Sequence, residues 1–343
     1  MTGAGGIGRI LLVQPRWMGD VLLCTPAIRE ARRAFAHATI DFATEPAGGE
    51  ILARNPYLDD VLVDEGSWRS RARLLHRVAR AGYDAVVDFR STGSTAQLAL
   101  VSRARIRVGV RGRGPRNLAY TTLVARQTLD TYAARHKLNM LSALGVDVRG
   151  VTDLSLTLPI GEPARRRAAA IWREHGLEGE RVVAISPVSR ERFKQWGAER
   201  WAAAADRIAT EGVRVLLTHG PGEADQVRAV AQAMRIAAVW DYGSTSIEEL
   251  AALLERCVLW TGNDGGAKHV AAAAGIPTLT VVRWQIGPVW TDAAAPARQT
   301  FIDRAPPGGC DLRCPQCSHL NCLGAIRTDD VVDRIRQALT AAG

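Results

Sequence analysis

The chain has 343 residues, 47% of them hydrophobic and 23% charged, which describes a soluble globular protein long enough for two domains. No apolar run approaches the length that spans a bilayer. The start, MTGAGGIGRILLVQ, has no basic region followed by a long apolar core, so a signal peptide is not expected and the default compartment is the cytoplasm. The formal charge of +9 is uneven: residues 1–150 hold 22 Lys and Arg against 13 Asp and Glu, and residues 151–343 hold 22 of each.

In chain order, the first half alternates short aliphatic runs with amphipathic stretches. Strands are predicted at RILLVQ (9–14), ATIDFA (38–43), VLV (61–63), DAVVDF (84–89) and IRVGV (106–110), with helices at 20–35, 68–81, 93–103 and 131–144. The second half repeats the rhythm. Its strands are predicted at 181–186, 213–218, 237–240, 258–260 and 278–282, and its helices at 163–175, 198–211, 223–234, 246–255, 266–274 and 329–341. Such alternation implies βα units and parallel sheets. Pro159, Gly161 and Pro163 cluster between the halves, which places a boundary there. The expected architecture is α/β: two facing, Rossmann-like doubly wound domains, 1–160 and 161–343, with a ligand cleft between them.

The excess charge concentrates in Arg103, Arg105, Arg107, Arg111, Arg113 and Arg116, with no acid between them. This suits an anionic partner such as a phosphate-rich glycolipid or a membrane face, or it is an ordinary solvated surface. No aromatic residue is interleaved as a stacking platform, which argues against nucleic acid.

The segment TGNDGGAKHVAAAAGIP (261–277) is the most informative in the chain. An apolar strand runs into Gly262, Asn263, Asp264, Gly265 and Gly266, and a small-residue helix follows at once. Glycines at such a junction let a ligand approach the backbone, and the new helix offers free N–H groups and a favourable dipole to an anion. Asp264 and His269 are placed to read hydroxyls or anionic oxygens there. The competing reading is an ordinary strand–turn–helix with a capping Asp.

Asp20 follows Gly19 at the end of the first strand, where it caps a helix or complements its dipole. Cys24 and Cys257 sit in apolar surroundings and read as packing residues. Cys310, Cys314, Cys317 and Cys322 fall within one short loop. That spacing suggests a structural tetrathiolate zinc site, in which His319 could replace one thiolate; reduced packing cysteines and a labile disulfide are the alternatives. No D-x-D sequence occurs, so no metal holding a diphosphate is expected.

The 262–277 segment resembles the donor signature of glycosyltransferase family nine, the bacterial heptosyltransferases, through Gly262, Asn263, Asp264, Gly265, Gly266, His269, Ala271 to Ala273, Gly275 and Pro277. Gly265 replaces a frequent threonine, and Lys268 stands where methionine or serine is common. A second family motif is matched by Gly19, Asp20, Val21, Leu22, Pro26 and Ala27, and a third by Ser189, Arg190, Lys194, Trp196 and Trp201, with one residue more than usual between Arg190 and Lys194.

The resemblance implies the two-domain GT-B fold and an inverting, metal-independent transfer of a heptose or related sugar. The donor would be a nucleotide diphosphate, ADP-heptose foremost, and the acceptor an anionic lipopolysaccharide core. It implies Asp20 as general base, Lys194 stabilising the leaving diphosphate and Ser189, Gly265 and Gly266 beside it. Asp264 and His269 would orient the donor, and Glu223 would contact its ribose. On this reading the N-terminal half binds acceptor through Arg111, Arg113 and Arg116, and the protein works at the cytoplasmic face of the inner membrane. Other readings left open are a transferase of a soluble acceptor, a nucleotide-sugar epimerase or hydrolase, and a non-catalytic nucleotide-sugar-binding protein.

Overall fold

The computed structural model describes residues 6–310 and 321–341. The chain divides into two compact units, Met1–Pro159 and Ile160–Gly343, so the division falls within the Pro159–Pro163 cluster.

The first unit is a six-stranded, all-parallel sheet. Its strands are β1 (Arg9–Val13), β2 (Thr39–Thr44), β3 (Asp60–Val63), β4 (Ala85–Asp88), β5 (Ile106–Val110) and β6 (Thr122–Val124), in the order β3-β2-β1-β4-β5-β6. Residues Ile10 to Val13 are buried at every position, the pattern of a strand covered on both faces. The covering helices are α1 (Met18–Leu22), α2 (Thr25–Ala34), α3 (Pro46–Leu52), α4 (Trp68–Arg80), α5 (Gly93–Val101) and α6 (Ala133–Asn139). The single helix expected over 20–35 is two: α1 stops at Leu22, and Pro26 occupies the first turn of α2, where a proline is tolerated because its missing N–H would go unpaired anyway. The helix expected over 131–144 tightens into a 3-10 turn from Met140 to Leu144.

The second unit holds a five-stranded parallel sheet. Its strands are β7 (Val182–Ser186), β8 (Arg214–Leu217), β9 (Leu259–Asn263), β10 (Thr278–Val281) and β11 (Gln299–Ile302), in the order β11-β10-β9-β7-β8. Its helices are α7 (Glu162–Glu174), α8 (Ala198–Ala209), α9 (Ala224–Ala233), α10 (Ile247–Leu254), α11 (Gly266–Ala273), α12 (Gly287–Trp290), α13 (Asn321–Gly324) and α14 (Thr328–Ala341). The strand expected at 237–240 reduces to one bridge, Leu216 with Val239. The core packs Trp201, Ala205 and Ile208 of α8 against Val183, Leu259 and Leu279 of the sheet and Val331, Ile335 and Leu339 of α14. Full burial of a side chain such as Ile208 contributes about 1.5–3 kcal/mol.

In each sheet the chain reverses winding direction beside the first strand. In the first unit β1 lies between β2 and β4, and in the second β7 lies between β8 and β9. Ligands of doubly wound sheets bind beyond the carboxyl ends of strands at that point.

Candidate active site

Asp20 stands just past the carboxyl end of β1, in the first turn of α1. It does not cap that helix: the N-cap is Trp17, with no side-chain capping bond. Its carboxylate instead faces Lys137 of α6, whose Nζ lies 3.7 Å from Asp20 Oδ1, with the two side chains only 14% and 7% exposed. Lys137 Nζ donates to Gln14 Oε1 at 2.9 Å, Gln14 Nε2 donates to the Arg16 carbonyl, and the ammonium lies 5.7 Å from the Phe89 ring centre. A buried cation is therefore fixed beside the carboxylate. Nothing local in the sequence marks Lys137. The thiol of Cys24, also close by, is buried and pushed up to about 12, so it is a packing group and not a nucleophile.

The arginines lie near both ends of β5. Arg111 and Arg113 are exposed in the loop beyond its carboxyl end. Arg116 is half-buried, its guanidinium packed over Gly112. Arg107 donates to the Ala104 and Ala119 carbonyls and serves the fold.

In the second unit, β7 and β9 are neighbours, with Ser186 paired to Gly262. A Cβ on Gly262 would lie 2.6 Å from the Ser186 carbonyl oxygen, so glycine there permits the close approach of the two strands. The loops leaving these strands bring the expected donor residues together. Lys194 Nζ lies 2.9 Å from Asp264 Oδ2, an ion pair whose angles fall outside a hydrogen bond. Ser189 Oγ donates to the Asp264 carbonyl at 3.4 Å. Asn263 fixes this junction from below: its Oδ1 accepts from the Trp196 N–H at 3.0 Å and Trp201 Nε1 at 3.2 Å, and its Nδ2 donates to the Pro187 carbonyl at 2.6 Å. The two tryptophans are core residues, edge to face at 4.9 Å.

Helix α11 begins at this point with Gly265 as N-cap and no side-chain capping bond. Asp264 is therefore not the cap of α11, and the opening N–H groups remain available to an anion. Gly265 has extended backbone, and a Cβ there would make only an ordinary contact, 3.9 Å from the Asn263 carbonyl oxygen, so packing does not demand glycine here. His269 is 4% exposed and its buried Nδ1 has no hydrogen-bond partner. Burial, then the Lys268 and Lys194 charges, hold its pKa well below the usual value, so the ring is neutral and can offer one N–H and one lone pair.

Lys268, which the sequence presents only as a departure from the family pattern, is wholly buried. Its Nζ donates to Thr291 Oγ1 at 2.8 Å and to the Trp290 carbonyl, and Trp290 packs edge to face on His269 at 6.2 Å. Burial lowers the Lys268 pKa to about 7, against the opposing pull of Asp264 and Asp292. Glu223 precedes α9 beyond β8, and its Oε2 accepts the Gly220 N–H at 2.8 Å. One carboxylate oxygen thus closes the glycine turn.

Of the cysteine cluster, Cys314 and Cys317, with His319, lie outside the described residues. Cys322 is buried in the core beside Leu323 and Ile326, and Cys310 is exposed. Among the described residues no group of three His, Cys, Asp or Glu could hold a metal ion, so the zinc reading gains no support from them. Cys257, like Cys24, is buried. No helix among the described residues is long and apolar enough to cross a membrane.

Two doubly wound parallel units, the first with a carboxylate just past the end of a strand and the second with a cation-flanked, uncapped helix start, have the architecture of the GT-B fold. Glycosyltransferase family 9 (heptosyltransferase) matches residues 71–284. A curated relative, lipopolysaccharide heptosyltransferase 3 of Escherichia coli, is 27% identical over 283 residues, covering 78% of this chain and 81% of its own. A family 9 glycosyltransferase structure from Veillonella parvula superposes with a TM-score of 0.77 at 24% identity, over 97% of both chains. The structure of E. coli ADP-heptose lps heptosyltransferase II gives 0.76 at 18% identity, over 97% of this chain and 98% of that one. The chain belongs to glycosyltransferase family 9, the heptosyltransferase family.

Proposed function

We propose that the protein transfers a heptose from ADP-heptose to a hydroxyl of a lipopolysaccharide core. The observation that carries this is the junction at α11, where Lys194, Asp264 and the buried, neutral His269 surround uncapped helix N–H groups. That is a receptor for a diphosphate, and the names of the relatives supply the sugar and acceptor. The second unit binds donor and the first binds acceptor. The acceptor oxygen attacks the anomeric carbon as the Asp20 carboxylate takes its proton. The bond from that carbon to the diphosphate oxygen breaks on the opposite side, with inversion. Lys194 and the α11 N–H groups stabilise the charge gathering on the leaving ADP. No D-x-D pair occurs in the sequence, so these groups do what a divalent metal does in other transferases.

Ser189 and Gly265 line the phosphate path, and the second carboxylate oxygen of Glu223 takes ribose hydroxyls. Arg111, Arg113 and Arg116 attract the anionic acceptor, with Arg116 limited by its packing over Gly112. Their charge also suits a peripheral position on an anionic membrane face.

The test is a mass-spectrometric screen of nucleotide sugars, each with and without purified lipopolysaccharide core acceptors. ADP-heptose consumption with glycosylated acceptor is expected. Conversion of donor alone would assign an epimerase or hydrolase. Transfer only to small soluble acceptors would remove the lipopolysaccharide reading. Donor binding without turnover would leave a binding protein.

A further inference from the structure

Lys268 stands in the first turn of α11, three residues beyond the N-cap Gly265, and is wholly buried. The transfer as proposed does not use it. Both placements are costly: a lysine is almost never fully buried unless paired, and a cation in the first turn opposes the helix dipole. Its Nζ donates to the Trp290 carbonyl and Thr291 Oγ1, both neutral oxygens. A neutral amine has two N–H groups and satisfies these acceptors as an ammonium does. The tie between α11 and the segment after α12 therefore survives loss of the proton, and the charge is left without a structural task.

The charged groups around the amine are few. Asp264 and Asp292 act on it through space. Lys194 is bound to Asp264, and the neighbouring His269 ring is neutral. The strands β9 and β10, which α11 packs on, carry no charged residue. Helix α10 also packs on α11, but its acids are engaged elsewhere: Glu248 accepts the Gly161 N–H, Glu249 the Ser246 N–H, and Glu255 pairs with Arg165.

The diphosphate receptor is short of positive charge. Lys194 and Asp264 cancel, and the α11 terminus contributes about half a unit. Arg190, Glu191 and Arg192 on the Lys194 loop are exposed, so solvent screens them. The ligand brings about two negative charges as a sugar donor and about three as free ADP. A charge on Lys268 is felt at His269 and attracted by Asp264, so it acts on the proposed phosphate position. Without ligand, burial brings the lysine down to about 7, and above neutrality the amine is mostly uncharged. An anion at the helix start offsets the burial and dipole penalties together and draws a proton in.

We infer that Lys268 is an internal counter-charge of the diphosphate receptor: it takes up a proton from solvent when phosphates dock on the first turn of α11 and returns it when they leave. The inference rests on the donor reading for the identity of the anion alone.

The experiment is calorimetric titration of the full chain with ADP and, in parallel, UDP, at about pH 8 in buffers of different ionisation enthalpy. The last phosphate ionisation, near about 6, is then complete in both ligands, and the dependence of heat on buffer counts the protons taken up. Wild type should take up most of one proton per ADP, and Lys268→Met and Lys268→Gln none. The bound state holds the extra proton, so wild-type ADP affinity should fall as pH rises, about tenfold from about pH 7 to about pH 9. Both variants should give a flat profile over that range, with Kd raised about tenfold at its lower end. Lys268→Gln keeps an N–H donor for the 290–291 segment without the charge, and it stands in if the methionine variant fails to fold. ADP binding without proton uptake in wild type overturns the inference. So does a Lys268→Gln protein with wild-type affinity and pH profile, which would make the lysine a structural tie. Proton-coupled binding of UDP with none of ADP would leave the counter-charge and remove ADP-heptose as donor. Tight ADP binding that ignores pH would do the reverse. Failure of both nucleotides to bind would remove the receptor and the inference with it.

Discussion

Lys137 Nζ and Asp20 Oδ1 face each other at 3.7 Å, both nearly buried, with the ammonium held on its other side by Gln14. Close opposite charges of low exposure interact more strongly than surface pairs. On the proposed mechanism this lysine orients the carboxylate that acts as base, the part of a positioning residue. Lys137→Met should lower kcat about tenfold to a hundredfold with ADP affinity unchanged, and Lys137→Arg should recover part of the loss. Gln14→Leu, which frees the ammonium without removing it, should fall between. Single-turnover rates with melting curves on each variant check this. Equal rates in Lys137→Met and wild type would make the pair a packing feature.

The donor side yields a second prediction. Lys194→Ala removes the cation beside Asp264, and His269→Ala removes a buried neutral ring. Each should weaken ADP binding by about tenfold to a hundredfold, the range for losing a hydrogen bond to a charged group. Because the His269 pKa is held well below the usual value by burial and two lysines, the ring stays neutral from mildly acid to alkaline pH. Its share of ADP affinity should therefore be flat across that range. Calorimetry at several pH values measures it, and an affinity loss in His269→Ala that appears only in acid would contradict a neutral ring.

What was legible in the sequence was local. The 262–269 segment carries its strand, turn and helix in one stretch, so Asp264 and His269 could be placed without tertiary information. Ser189 and Lys194 joined them through the family pattern, and the structure brings both to Asp264. Lys137 could not be read, because a lysine in a short amphipathic helix looks solvent-facing until the partner strand end is known. Lys268 shows in the sequence only as a departure from the family pattern, and tertiary packing alone shows it wholly buried against Thr291. The missed strands, Thr122–Val124 and Gln299–Ile302, are short, incompletely buried sheet edges, where hydrophobic pattern is weakest. Conversely, residues 237–240 have strand composition, yet only Val239 finds a bridging partner.

Lys268 predicts a pH dependence of stability. Its folded pKa is depressed to about 7 from 10.5 in the open chain. Between those values the unfolded state binds more protons, so this group favours folding as pH rises through the window. Its contribution is fully present above about 10.5 and lost as pH falls to about 7. The melting temperature of wild type relative to Lys268→Met should accordingly climb across that window. A constant difference between the two proteins would show that Lys268 keeps an ordinary pKa.

The cysteines separate packing from metal binding. Cys322 is buried among apolar side chains, whereas Cys310 is exposed. Cys322→Ser places a hydroxyl in that core and should cost about 1–3 kcal/mol, with Cys310→Ser near neutral. A tetrathiolate zinc site predicts instead that both variants destabilise and that chelator-free protein carries about one metal equivalent. Denaturant unfolding and elemental analysis together distinguish the two.

The assignment of Asp20 makes the most exacting prediction. The structure removes the capping role, because α1 starts from Trp17 and Asp20 makes no cap bond. Asp20→Asn keeps the size of the side chain but loses the proton acceptor. Turnover should fall by about two to four orders of magnitude, as for removal of a general base. Loss of the carboxylate also leaves Lys137 without its counter-charge, so some stability should be lost in Asp20→Asn and more in Asp20→Ala, where no polar atom remains. ADP affinity should stay within a few-fold in both, since the groups proposed to bind the diphosphate belong to the second unit. The Asp20→Asn, Lys137→Met double variant should be no slower than Asp20→Asn alone, because a positioning residue has nothing left to position. Single-turnover rates, ADP calorimetry and melting curves on this set decide the matter. Near-normal turnover in a folded Asp20→Asn protein would remove Asp20 from the mechanism and, with it, the role given to Lys137.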